Sequence, residues 1–295
     1  MMASAGGGAE IGVFFGQGNP SSSRIQYITI STTGNAAEWG NLLAPNRGQG
    51  AFGNAERGVA FGGATNFGDN TIQYITFSSS GNAIDFGDLL DANGTQQNQT
   101  MAGTSSDTRG MIMGGQNNNR IQYVTIATTG NSIDFGDFAT TARRGGGAGS
   151  NGTRAVFGGD ALMCEYVTIA STGNATNFGN LTVDRELMQA GCSTTRIVWM
   201  GGNSSPYNMI DYVTTASTGN ALDFGDLYVN GAFESGACSS KVRAVCAHGF
   251  DGATGFVNIM SSVEIATTGN SVDFGDLVST GAFFSGASNC HGGLS

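Results

Sequence analysis

Short stretches of alternating apolar and polar residues recur along the chain, and each runs into a Gly-Asn turn. Tyr123-Val-Thr-Ile126 leads into Gly130-Asn131, and Ile72 to Phe77 and Val167 to Ile169 follow the same pattern. Period-two alternation rich in β-branched residues and ending in a turn predicts strands, not helices. Upstream lies a second short strand, headed by arginine and closed by glycine: Arg57 to Gly63, Arg109 to Gly115, Arg154 to Gly159, Arg196 to Gly202 and Arg243 to Gly249. Before it comes a small-residue segment such as Gly145 to Ser150, and after the turn comes an Asp-Phe-Gly-Asp stretch. Each unit therefore has four expected strands: small-residue strand a, Arg-headed strand b, Tyr-headed strand c, and strand d through the Phe-Gly pair. No helix of any length is expected.

The units repeat six times. Their turn glycines are Gly34, Gly81, Gly130, Gly173, Gly219 and Gly269, at spacings of 47, 49, 43, 46 and 50 residues. Five residues after each stands Trp39, Phe86, Phe135, Phe178, Phe224 or Phe274, each followed by glycine. Seven residues before it stands Tyr27, Tyr74, Tyr123, Tyr166 or Tyr212, with Ser262 in the sixth unit. Four strands at this period match the blade of a β-propeller, whereas the coils of a β-solenoid are shorter. The expected fold is all-β: one six-bladed β-propeller over residues 1–295, with four antiparallel strands per blade. The blades fall at 1–42, 43–89, 90–138, 139–181, 182–227 and 228–277, with a closing strand in 278–295. Gly281-Ala-Phe-Phe-Ser-Gly-Ala287 repeats Gly231-Ala-Phe-Glu-Ser-Gly-Ala237, so the chain ends with one strand too many. Ala3 to Gly8 is a weak version of that strand, and the last strand is expected to complete the first blade and latch the ring.

Composition agrees with a folded chain: 39% of residues are hydrophobic, and the 49 glycines lack the triplet period of collagen. Met1 to Phe15 has neither a basic leader nor an unbroken apolar run, and no stretch approaches a membrane span, so a soluble, unprocessed protein is expected. The net charge is -10, Lys241 is the single lysine, and the arginines are scattered apart from Arg143-Arg144. Such a surface repels nucleic acid. Five cysteines, all in the second half, read as free and mostly buried thiols.

The pairs Asp85/Asp88, Asp134/Asp137, Asp223/Asp226 and Asp273/Asp276 invite a calcium reading, but each supplies too few oxygens alone, and two of the six copies are wholly or partly amide. Structural pairing with Arg57, Arg109, Arg154, Arg196 and Arg243, once per blade, is the expected role. Cys246, His248, Cys290 and His291 lack zinc-site spacing, so no metal and no cofactor are expected. With two histidines in the chain, no nucleophile, base and orienting group can be nominated, and no copper-radical cluster or sialidase box is present. The chain reads as a non-enzyme.

In a four-stranded blade the a–b and c–d turns emerge on one face and the b–c and d–a connections on the other. The c–d turns are near copies, while the b–c connections vary from Asp160-Ala-Leu-Met163 to the long insert of Phe250 through Ser262. Variable loops on a uniform scaffold suit recognition. The candidate binding residues are Arg143, Arg144, Tyr207, Phe250, Asp251 and Phe256.

The Gly-Gly closures at Gly62-Gly63, Gly114-Gly115, Gly158-Gly159 and Gly201-Gly202 resemble kelch-type propellers. Units such as Ile121-Gln-Tyr-Val-Thr-Ile-Ala-Thr-Thr-Gly-Asn131 followed by Asp134-Phe-Gly-Asp137, and the His291-Gly-Gly ending, resemble more closely the repeat proteins of marine bacteriophage virions, including those of cyanophages. This resemblance implies a virion structural protein of tail, fibre, baseplate or capsid surface, assembled in the host cytoplasm and oligomeric in the particle. Its implied partners are other virion proteins and a host surface glycan or protein, without membrane insertion. A lectin-like soluble propeller is the alternative.

Overall fold

The computed structural model describes residues 9–18, 20–64, 70–90, 98–140, 144–229, 231–232, 235–251 and 254–295. Six four-stranded antiparallel sheets surround one axis, joined by a two-residue-by-two-residue hairpin at Phe250–Asp251 and Gly255–Phe256. The fold is a six-bladed β-propeller, and no α-helix occurs among the described residues. Blade three shows the plan: a is Ala102–Ser105, b is Arg109–Met113, c is Arg120–Thr125 and d is Ile133–Asp137. The six a strands line the axis and touch each other around the ring.

Blade one closes the ring with strands from both chain ends. Its inner strand is Ser285–Ser288, paired with Ile11–Gln17 through Gly12↔Ser288 to Phe15↔Ser285. The predicted latch is present, shorter than the Gly281–Ala287 repeat that suggested it. Ala3 to Gly8 lies outside the described residues.

The aromatic-Gly pair has a specific structural task. In every blade the c–d register slips by one at this aromatic, as between Ile121↔Gly136 and Gln122↔Asp134, so Phe135 is the extra residue of a β-bulge. The bulge turns the ring inward, where Phe135 is 2% exposed and meets Tyr123 edge-on at 5.9 Å. The same Tyr–aromatic pair forms at Tyr27–Trp39, Tyr74–Phe86, Tyr166–Phe178 and Tyr212–Phe224, which explains why the two positions recur together. The following glycine takes φ of +148° at Gly136, and a Cβ there would land on the Gly173 carbonyl of the next blade.

That close approach shows what the repeated Gly-Asn motif does. It is less a tight hairpin turn than a clasp on the neighbouring blade. Gly173 N–H donates to Phe135 O at 2.8 Å, Ala175 N–H donates to Asp137 O at 2.9 Å, and Asn174 Oδ1 accepts from Asp137 N at 3.1 Å. The asparagine bond recurs at all six seams, including Asn35 with Asp276, which joins blade six to blade one.

Candidate binding surfaces

On the face of the a–b and c–d turns, each a–b turn carries an acceptor three residues before the arginine. Asn54, Ser106, Asn151, Ser193 and Ser240 accept from the backbone N–H of Arg57, Arg109, Arg154, Arg196 and Arg243. These local bonds aim the arginine side chains across the seam. Arg57 Nη1 donates to Ile126 O at 2.7 Å, and Arg109 Nη1 donates to Ile169 O at 2.8 Å. Arg154 reaches Thr215 and Ala216, Arg196 reaches Ile265 and Ala266, and Arg243 reaches Ile30. Four of these guanidinium groups also lie over the tyrosine of their own blade, 4.5 to 4.8 Å from its centroid, at Tyr74, Tyr123, Tyr166 and Tyr212.

The expected pairing of these arginines with the repeated aspartates is therefore corrected. Arg243 does form an ion pair, at 2.9 Å, but with Glu264. The aspartates stand on the outer strands, mostly exposed, and the second of each pair contributes its backbone N–H and C=O to the clasp. Among the described residues no group of three His, Cys, Asp or Glu side chains is placed to hold a metal. Cys246 lies in the core between blades five and six, while Cys290 belongs to the tail at the opposite end of the axis from His248. Burial pushes the Cys246 and Cys290 thiols up to about 12 and raises Cys238, so all three remain neutral thiols. All five cysteines are free and four are buried.

The axis is closed on this same face by the last residues of the chain. The ends of the six a strands, Gly53, Ser105, Ser150, Cys192, Ser239 and Ser288, form a ring of small residues. Serine hydroxyls link it: Ser105 donates to Gly53 O at 2.5 Å, Ser150 to Ser105 O at 2.6 Å, Ser239 to Cys192 O at 3.2 Å and Ser288 to Ser239 O at 2.5 Å. Gly53 and Cys192 have no hydroxyl to continue the circle, and His291 sits at these two places. Gly293 N–H donates to its Nδ1 at 2.9 Å, so Nε2–H is left to donate to Gly53 O at 2.8 Å, with Cys192 Sγ 3.8 Å from Nδ1. Gly292 N–H bonds Cys192 O at 2.9 Å, Leu294 is buried, and the Ser295 hydroxyl bonds Asp107 at 2.5 Å. A Cβ on Gly292 or Gly293 would strike Ser193 or Ser150, so the Gly-Gly pair is what lets the tail cross the axis. The axial cavities that remain measure about 40 and 20 Å³. Each is room for a water or two, far below the 300 Å³ or more of a small-molecule site.

The opposite face carries the b–c and d–a connections. Of the candidate residues, Phe250, Asp251 and Phe256 come together in the blade-six hairpin, with the two rings edge to face at 5.2 Å. Asp251 is buried and accepts from the Thr254 hydroxyl at 2.8 Å, so it shapes the hairpin instead of standing out as a ligand group. Arg144 is half-buried rather than an exposed cation: its N–H donates to Asp160 Oδ2 at 2.7 Å and its guanidinium lies 3.7 Å from Glu186. Arg143 lies outside the described residues. Tyr207, in the blade-five b–c connection, is 37% exposed, and Phe256 is 38% exposed. The structure adds four side chains that the loop-length comparison did not single out: Leu43, Leu162, Tyr228 and Val278, all more than 40% exposed at the b–c and d–a ends of their strands. Tyr228 and Val278 directly follow the buried leucines Leu227 and Leu277, so alternation at the strand end was the signal that pointed outward.

No protein-family model matches the sequence, and no curated protein matches it. The fold and these surfaces carry the functional argument.

Proposed function

We propose that this chain is a non-catalytic binding protein that recognises a protein or glycan through its b–c and d–a face, and that it serves as a structural component of a phage particle. The observation that carries the binding role is the set of exposed large side chains at the b–c and d–a ends of blades four to six, Leu162, Tyr207, Tyr228, Phe256 and Val278, on a scaffold fastened at every seam. Aromatic side chains with an apolar body and a polar tip suit interfaces, and tyrosine is enriched there. The plugged axis favours the loops over the channel as the working surface. The virion role is supported by the resemblance of the repeat units to phage structural proteins.

Two measurements test this reading. An antibody against the chain should label purified particles of the encoding phage, and the chain should be found in their protein inventory. Its absence from particles would sink the virion role and leave the lectin-like soluble module. Separately, the isolated chain should bind host cells or a glycan array, and the triple change Tyr207→Ala, Tyr228→Ala and Phe256→Ala should abolish binding without altering the melt. Undiminished binding by that variant would move the working surface elsewhere.

A further inference from the structure

Five of the six seams on the turn face are closed by an arginine from one blade bonded to a carbonyl of the next. The seam from blade one to blade two is different. By strand register its arginine position is Ile11, because Ile11 pairs with Thr29 as Arg57 pairs with Thr76. The carbonyl equivalent to those of Ile126, Ile169, Thr215, Ile265 and Ile30 is that of Phe77, which follows Thr76 directly. Among the described residues no donor reaches the Phe77 carbonyl. Where the guanidinium would lie there is an open cavity of about 480 Å³, lined by Ile11, Glu56, Phe77, Ser78 and Asn289 among others. That volume falls in the size range of a ligand site.

The departure follows from the way the ring is closed. In blades two to six a continuous a–b turn leads into the arginine. In blade one the two chain ends replace that turn, and Asn289 takes over the role of Asn54: its N–H bonds Ile11 O at 3.1 Å and its Oδ1 accepts from Ile11 N at 2.8 Å. The Asn289 side-chain amide is directed to Ala9 O at 3.0 Å. The cavity is thus walled by an isoleucine and offers acceptors, the Phe77 carbonyl and the exposed Glu56 carboxylate, on a chain of net charge -10.

We infer that this seam is a docking site for a guanidinium, supplied by an arginine side chain of a partner protein that completes the sixth rivet from outside. A planar guanidinium is the group that the five equivalent seams accommodate, and its several fixed donors suit a carbonyl and a carboxylate together. The site lies on the face opposite the loops discussed above, so this inference stands or falls separately from theirs.

The test is a titration of the full chain with N-acetyl-arginine amide, followed by NMR at the Ala55 methyl and the Phe77 amide, with N-acetyl-lysine amide as comparison. Saturable shifts with the arginine probe, at least several-fold weaker with lysine, are expected. Ile11→Arg should occupy the cavity from within, abolish probe binding and raise the melting temperature, while Glu56→Gln should weaken binding and leave the melt unchanged. No saturable shift in the unaltered chain overturns the inference. So does equal binding by Ile11→Arg, provided that variant retains its cooperative melt.

Discussion

The rim and the axis of this propeller are fastened in opposite ways. At the rim the same clasp is made six times, a Gly-Asn motif docked on the outer strand of the preceding blade, and each copy is small, local and redundant. At the axis the fastening is made once, by an inner strand and a tail from the far end of the chain that reach the inner ends of blades two, three and five. Repetition spreads the stabilisation over the ring, whereas the single closure concentrates it. Loss of a one-off element should therefore be felt globally, and loss of a repeated one only at its own seam.

Deleting residues 279–295 is the strongest way to break this contrast. It removes the partner strand of Ile11–Gln17, uncovers Phe14 and Phe15, and takes away buried Phe284, Ala287 and Leu294. Stripping that much apolar surface should lower the melting temperature by more than about 10 °C, or abolish the cooperative transition. An unchanged melt would mean that the rim alone holds the ring.

A smaller one-off feature comes next. The residue before each strand-c tyrosine is buried and polar, and its side chain accepts an N–H from the end of the preceding outer strand. Gln73 accepts from Leu43 at 2.8 Å, and Gln122 accepts from Leu90 at 3.0 Å. Blade five places Asp211 there, and the fully buried Arg185 neutralises it at 3.0 Å. Arg185→Met leaves that carboxylate unpaired and should destabilise by about 3–5 kcal/mol in denaturant melts. Adding Asp211→Gln, the residue of blades two and three, should recover most of the loss.

How much of this was legible in the sequence follows the same division. The period, the four strands, the six blades and the closing strand were all readable, because repetition exposes whatever is done six times. The Tyr and Phe positions were visible as a pattern, though their edge-to-face contact was not. The arginine partners were misread as aspartates because spacing within a unit does not say which neighbour lies across the seam. Their true partners are backbone carbonyls, which any sequence supplies. The role of His291 was hidden for a related reason: it depends on Gly53 and Cys192 lacking a hydroxyl at the axis, a gap seen only when the six inner strands are laid side by side. Asp251 and Arg144 were legible as loop residues, but their burial depends on Thr254, Asp160 and Glu186, which spacing alone does not bring to them.

Blade six adapts the shared polar position in another way, and pH should reveal it. Ser261 is too short to reach across, so Ser271 accepts the Tyr228 N–H at 2.7 Å and donates to Ser261, whose hydroxyl meets His248 Nε2 at 2.7 Å. Burial lowers the His248 pKa from 6.5 to about 4, against small opposing contributions from the Gly231 carbonyl and Asp251. The unfolded chain therefore binds a proton that the folded one does not between these values. The contribution of His248 is complete above pH 6.5 and is lost as pH falls towards 4, on the order of 3 kcal/mol in all. Stability of the unaltered chain should drop from pH 7 to 5 more steeply than that of His248→Gln. Parallel profiles would show that the histidine is not held neutral.

The smallest expected effect tests the redundant side of the comparison. Arg109→Ala removes one charge-assisted bond to the Ile169 carbonyl and one stack on Tyr123, about 1–2 kcal/mol together at a half-buried site. Asn174→Ala removes one acceptor from a clasp that keeps two backbone bonds, about 0.5–1 kcal/mol. The two residues serve the same seam, Arg109 and Asn174 both joining blade three to blade four, so their combined loss should fall on that boundary. Hydrogen exchange should then quicken for Asp137, Gly173 and Ala175 and stay unchanged at the corresponding amides between blades five and six. Exchange that quickens equally around the ring would show that the rim, too, acts as one cooperative element, and that its six copies are not independent.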